Sequence, residues 1–275
     1  MLYIYTVCYN TPQFIEPQYL LLKKFIKNPF EYIIFNNTMT NSVIKKNNIE
    51  NNNKLIQVCK IHNIKVINLD KKYFYGISDN NASLRAGTAI DLAHKFLFSE
   101  YSLTSTFFLI DSDAFPLTPF DVNNFMDDKI LSGRLQYRNG KNSCMKYITN
   151  QIVIFKPGRL NKEDINNYFS FLPYSTDGTH CDCGGKINYL WDKIDNNYFI
   201  NWTNSLFSDK GNLYQQFGNS PNLEEHFSDI NSITCENLKN YINNNNLILN
   251  KKNPFCEIFH SETSDINFLH LRAGT

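Results

Sequence analysis

The chain lacks net charge of either sign: 27 Lys and Arg residues against 26 Asp and Glu leave a formal +1. No basic stripe interleaved with aromatics stands out, so the electrostatic footprint that tracks a phosphate backbone is missing, and nucleic acid is not an expected partner. No segment approaches the roughly 18 apolar residues of a membrane span. The apolar start, MLYIYTVCYNTPQF, has neither the basic n-region nor the small-residue cleavage site of a signal peptide. No internal repeat and no clear linker divides the 275 residues, which are enough to bury a sizeable core without staples. One domain spanning 1-275 is expected, with a lobe over 1-115 and a second over 116-275.

A disulfide framework is also absent. Seven scattered cysteines are an odd number, and they read as reduced thiols of a soluble, cytoplasmic protein. Cys181 and Cys183 beside His180 lack the Cys-x2-4-Cys spacing and the second ligand pair of a structural zinc site.

What is present is a globular composition, 42% hydrophobic and 19% charged, with strand-like and helix-like segments in alternation. Leu2 to Cys8 reads as a first buried strand, and Gln18 to Ile26 as a helix closed by Asn28-Pro29. Tyr32 to Phe35 reads as a second strand, followed by polar Asn/Lys-rich residues and a helix through Leu55 to His62. Lys65 to Leu69 is a third strand, Tyr75 to Asn80 a loop, and Ser83 to Phe98 a helix. Ile130 to Leu135 and Gln151 to Phe155 are further strands. The alternation predicts βαβ units, hence an α/β fold with a mostly parallel central sheet flanked by helices.

The most informative run is Phe107-Phe108-Leu109-Ile110, continuous and apolar like a strand buried on both faces, which stops at Asp111-Ser112-Asp113. Ligands of open α/β sheets bind beyond the carboxyl ends of the strands, so these carboxylates face a site and not the core. In extended chain, residues i and i+2 point the same way, so both can approach one divalent cation. Late in the chain, His270 and Arg272 alternate in Phe268-Leu269-His270-Leu271-Arg272 and share a strand face. A neutral imidazole can complete a carboxylate-held metal site, and a guanidinium can fork onto phosphate oxygens.

The segment FFLIDSDAFP, at Phe107 to Pro116, resembles the DxD segment of GT-A glycosyltransferases, which use nucleotide-sugars, and the chain is expected to be a viral or microbial one. Tyr5 to Asn10, Tyr32 to Thr38 and FLHLRAG at Phe268 to Gly274 fit the same resemblance. It implies a GT-A, Rossmann-like fold and metal-dependent transfer of a sugar from a nucleoside-diphosphate donor, UDP-linked by preference, to a hydroxyl of a glycan or protein. The cofactor it implies is Mn2+ or Mg2+, held by Asp111, Asp113 and His270. Asp111 and Arg272 would also serve the diphosphate, and Thr6 and Tyr9 the base and ribose.

Arg85, in the first turn of the helix beginning near Ser83, suits a diphosphate or a sugar hydroxyl. Asp182, followed by Gly184 and Gly185, is the candidate base for an inverting reaction, with Asp177 as its rival. Two aspartates so spaced after a strand also resemble haloacid-dehalogenase phosphatases, although Ala114-Phe115 stands where those enzymes place Gly-Thr or a similar pair. A non-catalytic carbohydrate-binding protein is the third reading.

Overall fold

A computed structural model of the chain describes residues 1–139, 144–176, 179–191, 193–207, 213–214, 244–245 and 256–271. The first half alternates as expected: β1 (Leu2–Cys8), α1 (Ile15–Phe25), β2 (Phe30–Asn36), α2 (Lys46–Ile61), β3 (Lys65–Asn68), α3 (Ala82–Glu100) and β4 (Thr106–Ile110). Then come β5 (Ala114–Pro116), α4 (Val122–Met126), β6 (Leu131–Asn139), β7 (Cys144–Phe155) and α5 (Lys162–Tyr168). The order closes with β8 (Tyr174–Thr176), β9 (Thr179–Cys181), β10 (Phe199–Phe207), β11 (Leu213–Tyr214), β12 (Cys256–Ser261) and β13 (Asn267–His270).

One mixed sheet holds all but β8 and β9, in the order β3-β2-β1-β4-β7-β6-β10-β12-β13-β5, with β11 on β10. β3, β2, β1 and β4 are mutually parallel. β7 joins β4 antiparallel, and β6 and β10 form one more parallel pair. The fold is therefore α/β with a parallel core. The remaining strands add to it as an antiparallel extension.

Strand alternation sorts the core into two layers. Ile4, Ile34, Phe108 and Ile110 face one side, against Ile15 and Leu22 of α1 and Leu55 and Cys59 of α2. Tyr5, Ile33, Phe35, Phe107 and Leu109 face the other, against Ile90, Ala93 and Leu97 of α3. β4 is buried throughout, as its unbroken apolar run requires.

α2 starts nine residues before Leu55, inside the Asn-rich stretch that sequence pattern left outside the helix. The asparagines there do the work of a buried face. Asn48 accepts from the Lys45 N–H at 2.9 Å and donates to the Thr38 carbonyl, and Asn52 accepts from Asn36 at 2.7 Å. Hydrogen bonding to strand ends replaces apolar periodicity as the docking force.

His94 of α3 is enclosed by the rings of Tyr5, Phe98, Phe155, Phe169 and Phe171. It shares a hydrogen bond with the Tyr5 hydroxyl, while its Nδ1 has no partner among the described residues. Burial pushes its pKa down to about 3. An unfolded histidine titrates near 6.5, so between about pH 6.5 and 3 the unfolded chain binds the extra proton, and stability falls as pH falls. The expected contribution is a loss of up to about 1.4 kcal/mol per pH unit in that window. Urea unfolding of native protein and His94→Gln at pH 7 and pH 5 checks it: the native chain should lose more stability than the variant, and equal losses would contradict this account.

Candidate metal centre and active site

Three residues separate the end of β4 from β5 in sequence, yet β5 is the last strand of the sheet path. The antiparallel extension must therefore curl back to the end of β4, and β13 comes with it. His270 pairs with Ala114 across β13 and β5, and the Leu271 N–H donates to the Asp113 carbonyl at 3.0 Å. A residue near the end of the chain is thus carried to the Asp-x-Asp turn by backbone pairing.

Among the described residues, Asp111, Asp113 and His270 form a group whose potential ligand atoms all lie within 4.8 Å of one another. His270 Nε2 is 3.2 Å from Asp113 Oδ1 and 3.9 Å from Asp111 Oδ2. Asp113 is buried, whereas the Asp111 side chain keeps 30% exposure and opens the site to solvent. Burial and then the Asp113 charge hold the Asp111 carboxyl well above the usual carboxylate range, against the pull of His270. Burial alone would lower the His270 pKa, but the Asp113 carboxylate, and after it Glu257, outweigh it and hold the imidazole at about 10. Two carboxylates and one imidazole nitrogen so converging form a donor set that fits Mn2+ or Mg2+.

The turn is clamped from below. The Ala114 N–H donates to the Asp111 carbonyl at 3.0 Å, and the Asp111 N–H donates to the Gln151 carbonyl of β7 at 2.8 Å. Gln18 of α1, fully buried, donates from Nε2 to the carbonyls of Asp111 and Ala114 at 2.7 and 2.6 Å, and its Oε1 accepts from the Tyr32 hydroxyl. Gln18 lies where the helical period demands an apolar residue, between Ile15 and Leu22, and that misfit was the sequence signal for it. Beside the turn on β7, Gln151 Oε1 and Thr149 Oγ1 are buried without a hydrogen-bond partner among the described residues.

The other expected residues divide. Thr6 is fully buried, and its hydroxyl donates to the Ile110 carbonyl. Through that bond it braces the end of β4. Tyr9 and Arg85 meet through Asn41: the Tyr9 hydroxyl donates to Asn41 Oδ1 at 3.1 Å, and Arg85 Nη2 donates to the same atom at 3.0 Å. Arg85 is buried, bonded also to Thr40 at 2.6 Å and Asp79 at 3.2 Å, with its guanidinium 5.0 Å over the Phe74 ring. It is a fixed cation in a polar network beyond β1 and β2, not a free one.

Asp182 is exposed, in the turn after β9, and its Oδ1 accepts the Cys183 N–H at 2.8 Å. The glycines after it are required by packing. Gly184 has φ +97°, and a Cβ there would lie 1.8 Å from the Ile148 carbonyl oxygen of β7; one on Gly185 would lie 2.7 Å from the Tyr174 nitrogen. Cys181 and Cys183 are buried free thiols, and neither joins a metal-ligating group among the described residues. Arg272 and Asp177 lie outside the described residues. Glu257, which no sequence pattern singled out, is buried directly opposite His270 on β12, with Oε2 2.9 Å from His270 Nδ1. Among the described residues, no helix is long and apolar enough to cross a membrane.

No family model and no curated protein matches the sequence. Among solved structures the chain is similar to an active-site mutant of LgtC, with TM-score 0.39 and 11% identity over 61% of this chain and 61% of that one. It is similar to galactosyltransferase LgtC in complex with donor and acceptor sugar analogs, with TM-score 0.40 and 11% identity over 69% of each chain. It is also similar to mannosyltransferase PcManGT from Pyrobaculum calidifontis in complex with GDP-Man and Mn2+, with TM-score 0.36 and 8% identity over 62% of this chain and 47% of that one. At these values the likeness is a partial one of backbone path, and the chemistry of the site rests on its own side chains.

Proposed function

We propose that the chain is a metal-dependent glycosyltransferase of GT-A type, transferring a sugar from a nucleoside diphosphate, UDP by first preference, to a hydroxyl of a glycan or protein acceptor. The observation that carries this reading is the convergence of Asp111, Asp113 and His270 within 4.8 Å at the carboxyl end of the central strand β4. Asp113 and His270 would hold Mn2+ or Mg2+ from the buried side, and Asp111 from the solvent side. The cation, when bound, neutralises charge developing on the departing diphosphate.

Around that point the chain's own groups take complementary roles. Tyr9 and Arg85, joined by Asn41, frame the nucleotide beyond β1 and β2. Arg272, two residues past His270, serves the phosphates. The oxygens of Thr149 and Gln151, without partners among the described residues, suit donor-sugar hydroxyls, which are good donors to buried acceptors. Asp182, exposed in its turn, removes the proton from the attacking hydroxyl, which makes inversion the preferred outcome.

The test is incubation with Mn2+ and a panel of UDP- and GDP-sugars while following release of the nucleoside diphosphate. Native protein should release it by transfer or slow hydrolysis, and Asp111→Asn should not. A burst and a trapped aspartyl-phosphate from a simple phosphate ester, with no release from any nucleotide-sugar, would replace this reading with a haloacid-dehalogenase-like phosphatase. Sugar binding lost on chelation, with no transfer, would make the chain a carbohydrate-binding protein.

A further inference from the structure

The imidazole of His270 has two nitrogens, and only one can face a cation. Nε2 looks toward Asp111 and Asp113, while Nδ1 lies 2.9 Å from Glu257 Oε2. We propose that Glu257 is a positioning residue of the metal centre: it accepts the Nδ1–H of His270, fixes the ring's orientation and tautomer, and leaves the Nε2 lone pair to the cation. The proposal rests on the metal-centre reading above and adds to it a residue that touches neither the donor nor the cation.

Three features of the fold support the assignment. Glu257 and His270 are direct partners in the β12–β13 register, so their side chains stand on the same face of adjacent strands and cannot drift apart without unpairing the sheet. Glu257 is 1% exposed, and a carboxylate kept from water needs specific partners to be retained there. Its other oxygen, Oε1, lies 3.9 Å from Arg134 Nη1. Arg134 lies on β6 opposite the register shift, where Gly133 pairs with Val153 and Leu135 with Ile148, so that the extra residues fall on β7. A line Arg134–Glu257–His270 thus leads from the interior of the sheet to the Asp-x-Asp turn. Carboxylate–histidine–metal arrangements of this kind orient the ring and raise its basicity as a ligand, and losing the outer partner costs about 10- to 100-fold in metal affinity.

The experiment is calorimetric titration of Mn2+ alone into the full chain and into Glu257→Gln and Glu257→Leu, with thermal unfolding of each recorded. Gln keeps an oxygen that can accept the Nδ1–H and loses only the charge, so its Mn2+ affinity should fall about tenfold; Leu loses both, and its affinity should fall about a hundredfold. Partial rescue by Gln at unchanged melting temperature separates positioning of the ring from general loss of structure. If the Leu variant does not fold, the Gln variant decides alone. Mn2+ affinity within twofold of native in a folded Gln or Leu variant would overturn the proposal, and so would native protein that binds no Mn2+. Native protein that binds Mn2+ but neither UDP nor GDP would sink the donor reading and leave the role of Glu257 standing.

Discussion

Replacing Asp113 by Asn should lower the affinity for Mn2+ by more than about a hundredfold while leaving the melting temperature within a few degrees of native. Loss of an outer partner of a metal ligand costs 10- to 100-fold, and loss of a charged ligand itself exceeds that. A hundredfold is about 2.7 kcal/mol of binding free energy. Asn preserves the volume and the backbone carbonyl that accepts from Leu271, so the joint between the turn and β13 survives. His270 keeps Glu257 at 2.9 Å as a counter-charge, so it is not left buried without a partner. Calorimetric titration of Mn2+ beside thermal unfolding reads both quantities. Unchanged affinity would mean that no cation is held by this turn.

The second large effect is steric and lies away from the metal. Gly184→Ala should destabilise the chain by about 3 kcal/mol or more. A left-handed backbone costs an L residue roughly 1–2 kcal/mol, and overpacking in a tight site adds about 1–3. Gly184 has φ +97°, and the new Cβ would fall 1.8 Å from the Ile148 carbonyl oxygen, a backbone atom on β7 that cannot rotate away. The turn must lift from β7, breaking the Gly184 N–H bond to the Phe171 carbonyl at 2.8 Å and carrying Asp182 with it. The melting temperature should fall by roughly 6 °C or more. Release of nucleoside diphosphate from the preferred sugar donor should drop in parallel, with Mn2+ affinity unchanged. A variant with native stability would show that the turn is not seated on β7.

The contrast between these two sites explains which parts of the molecule could be read from sequence. Asp111 and Asp113 were legible because four apolar residues in succession fit a strand covered on both faces, and such a strand points its carboxyl end at a site. His270 was legible from alternation in a short strand. Glu257 was not, since its partnership with His270 arises from long-range pairing of β12 with β13, which no local period encodes. The first turns of α2 were hidden for a related reason: their docking face is built from asparagines that bond to strand ends, while periodicity detects only apolar faces.

Arg85 and Thr6 show the opposite limit, where residue type suggested contact with a ligand. Residue type does not tell that the fold also engages the Arg85 guanidinium with Thr40, Asn41 and Asp79, and the Thr6 hydroxyl with Ile110. Gly184 and Gly185, beside Asp182, answer to the Ile148 carbonyl and the Tyr174 backbone. Sequence spacing identifies candidates for chemistry. Which of them face outward depends on contacts between residues far apart in the chain.

The measurement that bears most directly on the whole account is calorimetric titration of UDP, and then of GDP, into the native chain with Mn2+ and again with EDTA. The site predicts micromolar binding of one nucleoside diphosphate that requires the cation and disappears on chelation. Absence of binding to both, in protein shown to be folded and with Mn2+ present, would contradict it.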